Sequence, residues 1–379
     1  LNLSIYPSNA TQPKRSDRGQ TSLKKILIIT FNTLLLFVLS AEIYTRYQIY
    51  HYDHSQDKAS AYLQRVLLYR DVNHFMDKRN HDDLNSDNIR YQHEASDIQA
   101  KDTNVLFLGD SFVYGFLLSL RAAIPYQFEE IAQPQFPDRK INGINFGWVS
   151  ASPYLELNLL KRLGKKYQPD VVILDLDLGD FYDDPFYETV AERKSIYRFA
   201  SYVPFSTFVI ENIVAQFSYS RYESIMGFPK SQLYVNERPI SESLPYINRY
   251  TLKNLNAIND YTKNELHAKF IVFVNPKTFH YNEKESPHNW MKDIVKRTPY
   301  SFEIFDYVDE LSKESSYPVV SLLPVFQKTT VFPTAFDQDA HWNRDGYKIA
   351  ATEMVEQCKR LGCFEIPLAP PLKKGEDAP

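Results

Sequence analysis

From residue 104 onward the chain alternates short apolar, β-branched runs with amphipathic stretches, and this alternation limits the fold more than any other feature. The apolar runs are 105–108, 141–146, 171–176, 270–274 and 319–322. Amphipathic stretches fall between them at 122–133, 153–166, 250–267 and 301–316, and another closes the series at 345–361. In the last, Ile349, Ala350, Met354, Val355, Cys358 and Leu361 share one helical face. Short continuous apolar strands separated by helices predict a mostly parallel five-stranded sheet covered on both faces, a three-layer α/β/α sandwich. Residues 186–245, rich in Tyr, Phe and Ser, break the rhythm. They read as a helical insertion beside the carboxyl edge of the sheet, serving as a lid, a partner surface or extra core.

The chain has 379 residues, room for one large or two ordinary domains. At 44% hydrophobic and 24% charged it has the composition of a globular protein. The net charge is −4 and no long basic run stands out beyond the N-terminus, so no nucleic-acid partner is expected.

Residues 26–41 are apolar and bounded by Lys25 and Glu42. That run is just under the usual length of a spanning helix, and Ile43, Tyr44 and Tyr47 extend it into an interface where Tyr is favoured. Upstream stand Lys14, Arg15, Arg18, Lys24 and Lys25 against one acid, Asp17. The bias predicts a cytoplasmic N-terminus and an extracytoplasmic body, at the cell surface or in the periplasm. An uncleaved single-pass anchor is favoured over a cleaved signal peptide because the charged leader is long. The segments are then a cytoplasmic tail (1–23), the anchor (24–45), a polar juxtamembrane segment (46–100) with a helix near 57–75, the α/β domain (101–365) and a disordered tail (366–379).

The two cysteines lie in "VEQCKRLGCFEIP". With Gly362 as a left-handed C′ residue, Cys358 and Cys363 take the two positions that a Schellman cap brings into contact. A disulfide between them is expected for an exported domain, with two packed thiols as the alternative. Their spacing does not suit zinc, and no metal site is expected.

Ligands of an open α/β sheet bind outside the carboxyl ends of its strands. There the sequence places Gly109-Asp110-Ser111, then "NFGWVSAS" (145–152), "DLGDFYDD" (177–184), "NPKTFHYNEK" (275–284) and "DQDAHWNRDGYKIAA" (337–351). Acyl transfer by a serine needs a base, a carboxylate to orient it, and donors for the oxyanion. Ser111 follows the first strand, where its N–H and a helix N-terminus can face an oxyanion. His341 stands at a helix start with Asp339 two residues before it. A lone serine there is most often a helix cap, and a lone histidine a solvent-facing residue. The combination points to a nucleophile, a base and its partner.

The motif "FLGDSFVYG" resembles the first block of the GDSL-type, or SGNH, serine hydrolases, and "DAHWNRDGYKIAA" resembles their last. The likeness spans about 101–362 and implies a flavodoxin-like fold, Ser111 as nucleophile, His341 as base and Asp339 as its acid. Many relatives carry the acid three residues before the histidine, where this chain has Gln338; Asp337 is a weaker candidate. The family's second block usually ends in a glycine whose N–H meets the oxyanion. Here Asn145 and Gly147 are followed by Ser150 at that position. The third block usually holds an asparagine donor, and here Gly179 stands in its place. The expected oxyanion donors are the backbone N–H groups of Ser111 and Ser150, with Gly179 a further candidate. Asn145 or Tyr182 could also substitute for the missing asparagine. Asp110, Asn145, Gly147 and Asn343 stand in these motifs as supporting residues. Asp183 and Asp184 read as solvated or as caps of the next segment.

The resemblance implies a serine esterase or deacetylase acting on O-acyl esters without a cofactor. The short anchor is similar to that of members associated with surface polysaccharides, which points to an acylated glycan or other small ester as substrate. The alternatives are an O-acyltransferase with the same triad, or a weak or inactive relative that binds polysaccharide.

Overall fold

A computed structural model describes residues 17–50, 83–99, 101–192, 235, 238–281 and 298–365, with 199, 202–207, 209, 213, 284, 285 and 288. The expected juxtamembrane helix near 57–75 and the tail 366–379 lie outside these residues. Five strands, β1 (Thr103–Gly109), β2 (Ile141–Asn145), β3 (Val171–Leu176), β4 (Lys269–Val274) and β5 (Val319–Ser321), form one sheet in the order β2-β1-β3-β4-β5. Every pairing among these five strands is parallel. The order is that of flavodoxin-like folds, and it places the switch point between β1 and β3, beside Ser111.

The period-two alternation of β1 divides the core. Val105 and Phe107 join one apolar cluster, and Leu106 and Leu108 the other. The first cluster is closed by α3 (Ile124–Ala132), α10 (Leu323–Lys328) and α11 (Arg344–Arg360). The second is closed by α4 (Pro153–Leu163), α5 (Asp180–Glu192), α6 (Ile240–Arg249), α7 (Thr251–Glu265) and α9 (Glu303–Glu314). Two single-turn helices complete the set at strand ends: α2 (Ser111–Tyr114) after β1 and α8 (Thr278–Tyr281) after β4.

Two details depart from the expectations drawn from the sequence, and a third, extra core in the insertion, agrees with one of them. Ile89, Tyr91 and Ala95 are buried in the core, so the folded body begins before residue 101. No hydrophobic period marks that short irregular segment. Val235, inside the insertion, is fully buried in the same cluster, so part of the insertion is core. The disulfide expected between Cys358 and Cys363 is not formed; both are buried free thiols. The cap around them is present. Gly362 has φ +66°, its N–H donates to Lys359 O at 3.1 Å, and Cys363 N–H donates to Cys358 O at 2.8 Å. Those backbone bonds close the turn without a covalent link, and the contact between the two thiols pushes the Cys358 group up.

The N-terminal helix α1 (Asp17–Tyr50) contains one stretch, Leu23–Tyr47, long and apolar enough to cross a membrane. Its 25 residues correspond to about 37 Å of helix. The side chains of Leu27, Phe31, Leu36 and Phe37 are largely exposed, unlike those of a core helix.

Candidate active site

Asp110, not Ser111, caps α2. Its carboxylate accepts the Phe112 N–H at 2.8 Å, leaving Ser111 as the first helical residue. The serine Oγ lies 2.7 Å from His341 Nε2 and also 3.4 Å from the capping carboxylate's Oδ2. His341 Nδ1 is in a short contact with Asp339 Oδ1, which also accepts the His341 N–H at 2.9 Å. Partial burial pushes the Asp339 carboxyl up, but these bonds from His341 prevail and hold it below the usual range. Asp337, the weaker candidate, is exposed.

The histidine is held from both sides. Its ring lies 5.1 Å from those of Phe112 and Phe116, and its carbonyl accepts the Phe336 N–H at 3.1 Å. Next to it Trp342 is 1% exposed, stacked on Phe326 and edge-on to Phe112. Asn343 caps α11, accepting from Asp345 and Gly346 N–H, while its amide donates to Pro333 O at 2.7 Å. One cap thereby fixes both the helix and the loop that carries His341.

The second block positions the nucleophile's helix. Asn145 Nδ2 donates to Val113 O at 3.0 Å and Asn145 Oδ1 accepts from Gly147 N–H at 2.8 Å. Both ends of that side chain are engaged, so it braces the nucleophile's helix. A Cβ on Gly147 would come within 2.3 Å of Tyr114 N, which explains the glycine. Ser150 has φ +62°, the left-handed region that favours glycine, and its carbonyl accepts from Tyr187 Oη at 2.6 Å. Among the described residues, neither the Ser111 nor the Ser150 N–H donates to a protein acceptor. Gly179 differs: its N–H donates to Asp177 Oδ1 at 2.7 Å, which removes it from the set of oxyanion candidates.

The acids of 177–184 are explained by helix ends. Asp177 accepts from Gly179 N–H and Asp180 reaches back to Asp177 N–H at 2.9 Å, a reciprocal arrangement that starts α5. Asp184 is fully buried, not solvated. It caps the preceding helix α4, accepting from Ser152 Oγ at 2.9 Å and Tyr154 N–H at 2.5 Å, and also from Asn254 at 2.7 Å. Burial and then Asp177 push Asp110 up to about 7; burial and then Asp110 push Asp183 up to about 8. Burial also drives Asp175, Asp180 and Glu156 well above the usual carboxylate range. The acids beneath the serine therefore repel a developing oxyanion far less than their number suggests. Among the described residues, no group of three or more His, Cys, Asp or Glu could hold a metal ion.

Two residues escaped the sequence reading. Lys277 follows β4 and pairs with Asp177 at 2.5 and 2.8 Å, and its Nζ lies 5.2 Å from the centre of the Phe112 ring. Its place at a strand's carboxyl end was the available signal. Arg90 donates to the carbonyls of Tyr114 (2.6 Å), Gly115 (2.8 Å) and Leu118 (2.7 Å), fastening the C-terminal end of α2. Nothing in its local sequence marks it.

Fold and site together define an α/β protein with a Ser-His-Asp relay at the carboxyl edge of a parallel sheet. Solved structures to which the chain is similar include a member of the lipolytic G-D-S-L family from Veillonella parvula, at 11% identity and a TM-score of 0.37, over 68% of this chain and 99% of that one. A psychrotrophic esterase, EstA, from a Pseudoalteromonas species has 13% identity and a TM-score of 0.37, over 69% and 98%. A catalytic mutant of an acetylxylan esterase from Geobacillus stearothermophilus has 14% and 0.37, over 68% and 96%. No protein-family model and no curated protein matches the sequence.

Proposed function

We propose that the protein is a serine ester hydrolase of the SGNH/GDSL type, carried on the extracytoplasmic side of a membrane by α1. One observation carries the reading: Ser111 Oγ, His341 and Asp339 are in hydrogen-bonded sequence, contributed by segments 230 residues apart in the chain. In that geometry His341 Nε2 accepts the serine proton as Oγ attacks an ester carbonyl. Asp339 keeps the other ring nitrogen protonated and steadies the imidazolium. The N–H groups of Ser111 and Ser150 receive the oxyanion. His341 then returns the proton to the departing alkoxide. A water molecule, activated by the same imidazole, releases the acyl group from Ser111.

The substrate is an O-acylated carbohydrate, supported by the resemblance of the anchored arrangement to members associated with surface polysaccharides. Transfer of the acyl group to a second glycan hydroxyl would use the same residues. A non-catalytic glycan-binding role is favoured by one feature, the missing third donor at Gly179. The test is acetate release from an acetylated oligosaccharide, with and without an acceptor sugar. Wild type is expected to release acetate and Ser111→Ala to release none. Equal release by both would refute the assignment.

A further inference from the structure

The end of α1 is held against the insertion. Glu42 closes the apolar run and is only 8% exposed. Its carboxylate accepts the N–H groups of Phe205 (3.0 Å) and Ser206 (2.8 Å). Both belong to a helical turn, 204–207, in which Thr207 N–H donates to Val203 O at 3.0 Å. First-turn amides of a helix lack partners within it and favour an acidic side chain, so the Glu42 carboxylate satisfies two of them at once. The Phe37 ring meets Phe205 edge-on at 6.2 Å, and the Arg46 guanidinium donates to the Tyr202 carbonyl.

These contacts run along α1 from Phe37 to Arg46, about 14 Å of helix. That length starts inside the apolar run and ends among Tyr44, Arg46 and Tyr47, the residue types of a membrane interface. The part of the insertion held there is therefore at the depth of the bilayer's edge. It also exposes large apolar groups: Phe199 at 69%, Tyr202 at 58% and Ile213 at 51%. In water such groups would be a liability; beside a spanning helix they meet lipid.

We propose that the described residues of the insertion beside α1, namely 199, 202–207, 209 and 213, lie in the outer interfacial layer of the bilayer that α1 spans, with Phe199, Tyr202 and Ile213 against lipid. The inference rests on the reading of α1 as a membrane span. The body is then seated on the membrane by two elements, α1 and the insertion. Esters presented at that surface are the substrates such a seat serves.

The test uses the full chain in phosphatidylcholine vesicles, with nitroxides on single Phe199→Cys, Ile213→Cys, Leu35→Cys and Lys263→Cys variants and labelling checked against the buried native thiols. Collision with oxygen and with a water-soluble nickel complex reports the depth of each label. Labels at 199 and 213 are expected to fall between the other two, more open to oxygen and less open to nickel than 263 on α7, but more open to nickel than 35 at the middle of the span. Nickel access at 199 and 213 equal to that at 263, with 35 still closed, would overturn the seat and leave the span standing. Exclusion of both reagents at 199 and 213 would also overturn it, because protein and not lipid would then cover them. Nickel access at 35 would remove the span itself.

Discussion

Gly179 is where the chain departs most from the chemistry it resembles, and the structure gives that departure a shape. The resemblance implies that an asparagine there would offer an amide to the oxyanion. The glycine offers none, and its own N–H is held by Asp177. A Cβ added at Gly179 meets only Asp177 Oδ1, at 2.9 Å, the far end of a flexible side chain. Gly179→Asn is thus expected to fold and to raise kcat, by up to the 100- to 1000-fold (roughly) that one such donor contributes. Steady-state hydrolysis of an aryl acetate measures it; an unchanged or lower kcat would mean that another group already fills the position. Ser150 makes the complementary case. Its donor is backbone, so Ser150→Gly is expected to keep kcat within a few fold while relieving a left-handed serine, worth about 1 kcal/mol in chemical denaturation before glycine's entropic cost is subtracted.

Among the elements, the single-turn helix α2 depends most on its neighbours. Four residues are too few to hold themselves, so α2 is fixed by Asp110 at its start, Asn145 at Val113 and Arg90 at its end. Arg90→Ala leaves three carbonyls without a charged donor, two of them reached by Nη1 in a buried setting. A loss of about 3 kcal/mol is expected in chemical denaturation, with kcat falling as α2 loosens. A loss under about 0.5 kcal/mol would show that α2 needs no such clamp. The same elements show what the sequence can reveal. β3 begins and ends where its apolar run does, and α4, α7, α9 and α11 lie within or one residue beyond their amphipathic stretches, because burial on one face imposes a period. Arg90 and Tyr91 were not legible. They sit in an irregular segment whose partners, α2 and the core, are distant in sequence, and no local pattern encodes such a contact. Lys277 was legible in place but not in role, since its partner Asp177 stands 100 residues away.

For the whole molecule, the buried acids beneath the site set the response to pH. Asp110 and Asp183 titrate near 7 and 8 in the fold, well above the range of an unfolded chain. Between roughly pH 4 and pH 8 the folded protein therefore holds protons that the unfolded chain has released, and stability falls as pH rises through that window. The midpoint of thermal unfolding is expected to be higher at pH 5 than at pH 8, with the slope reduced in Asp183→Asn; a midpoint that rises with pH would reverse the sign. Asp339, held low by His341, works in the opposite sense: its contribution is lost as pH falls through its depressed value, below the window above.

In the proposed mechanism a distant histidine, His341, activates Ser111. The most direct measurement is the rate at which a fluorophosphonate probe labels the folded, full-length protein in membranes. Wild type is expected to label, Ser111→Ala not at all, and His341→Ala at least about 1000-fold more slowly. Labelling of Ser111→Ala at the wild-type rate, or none of a well-folded wild type, would contradict it.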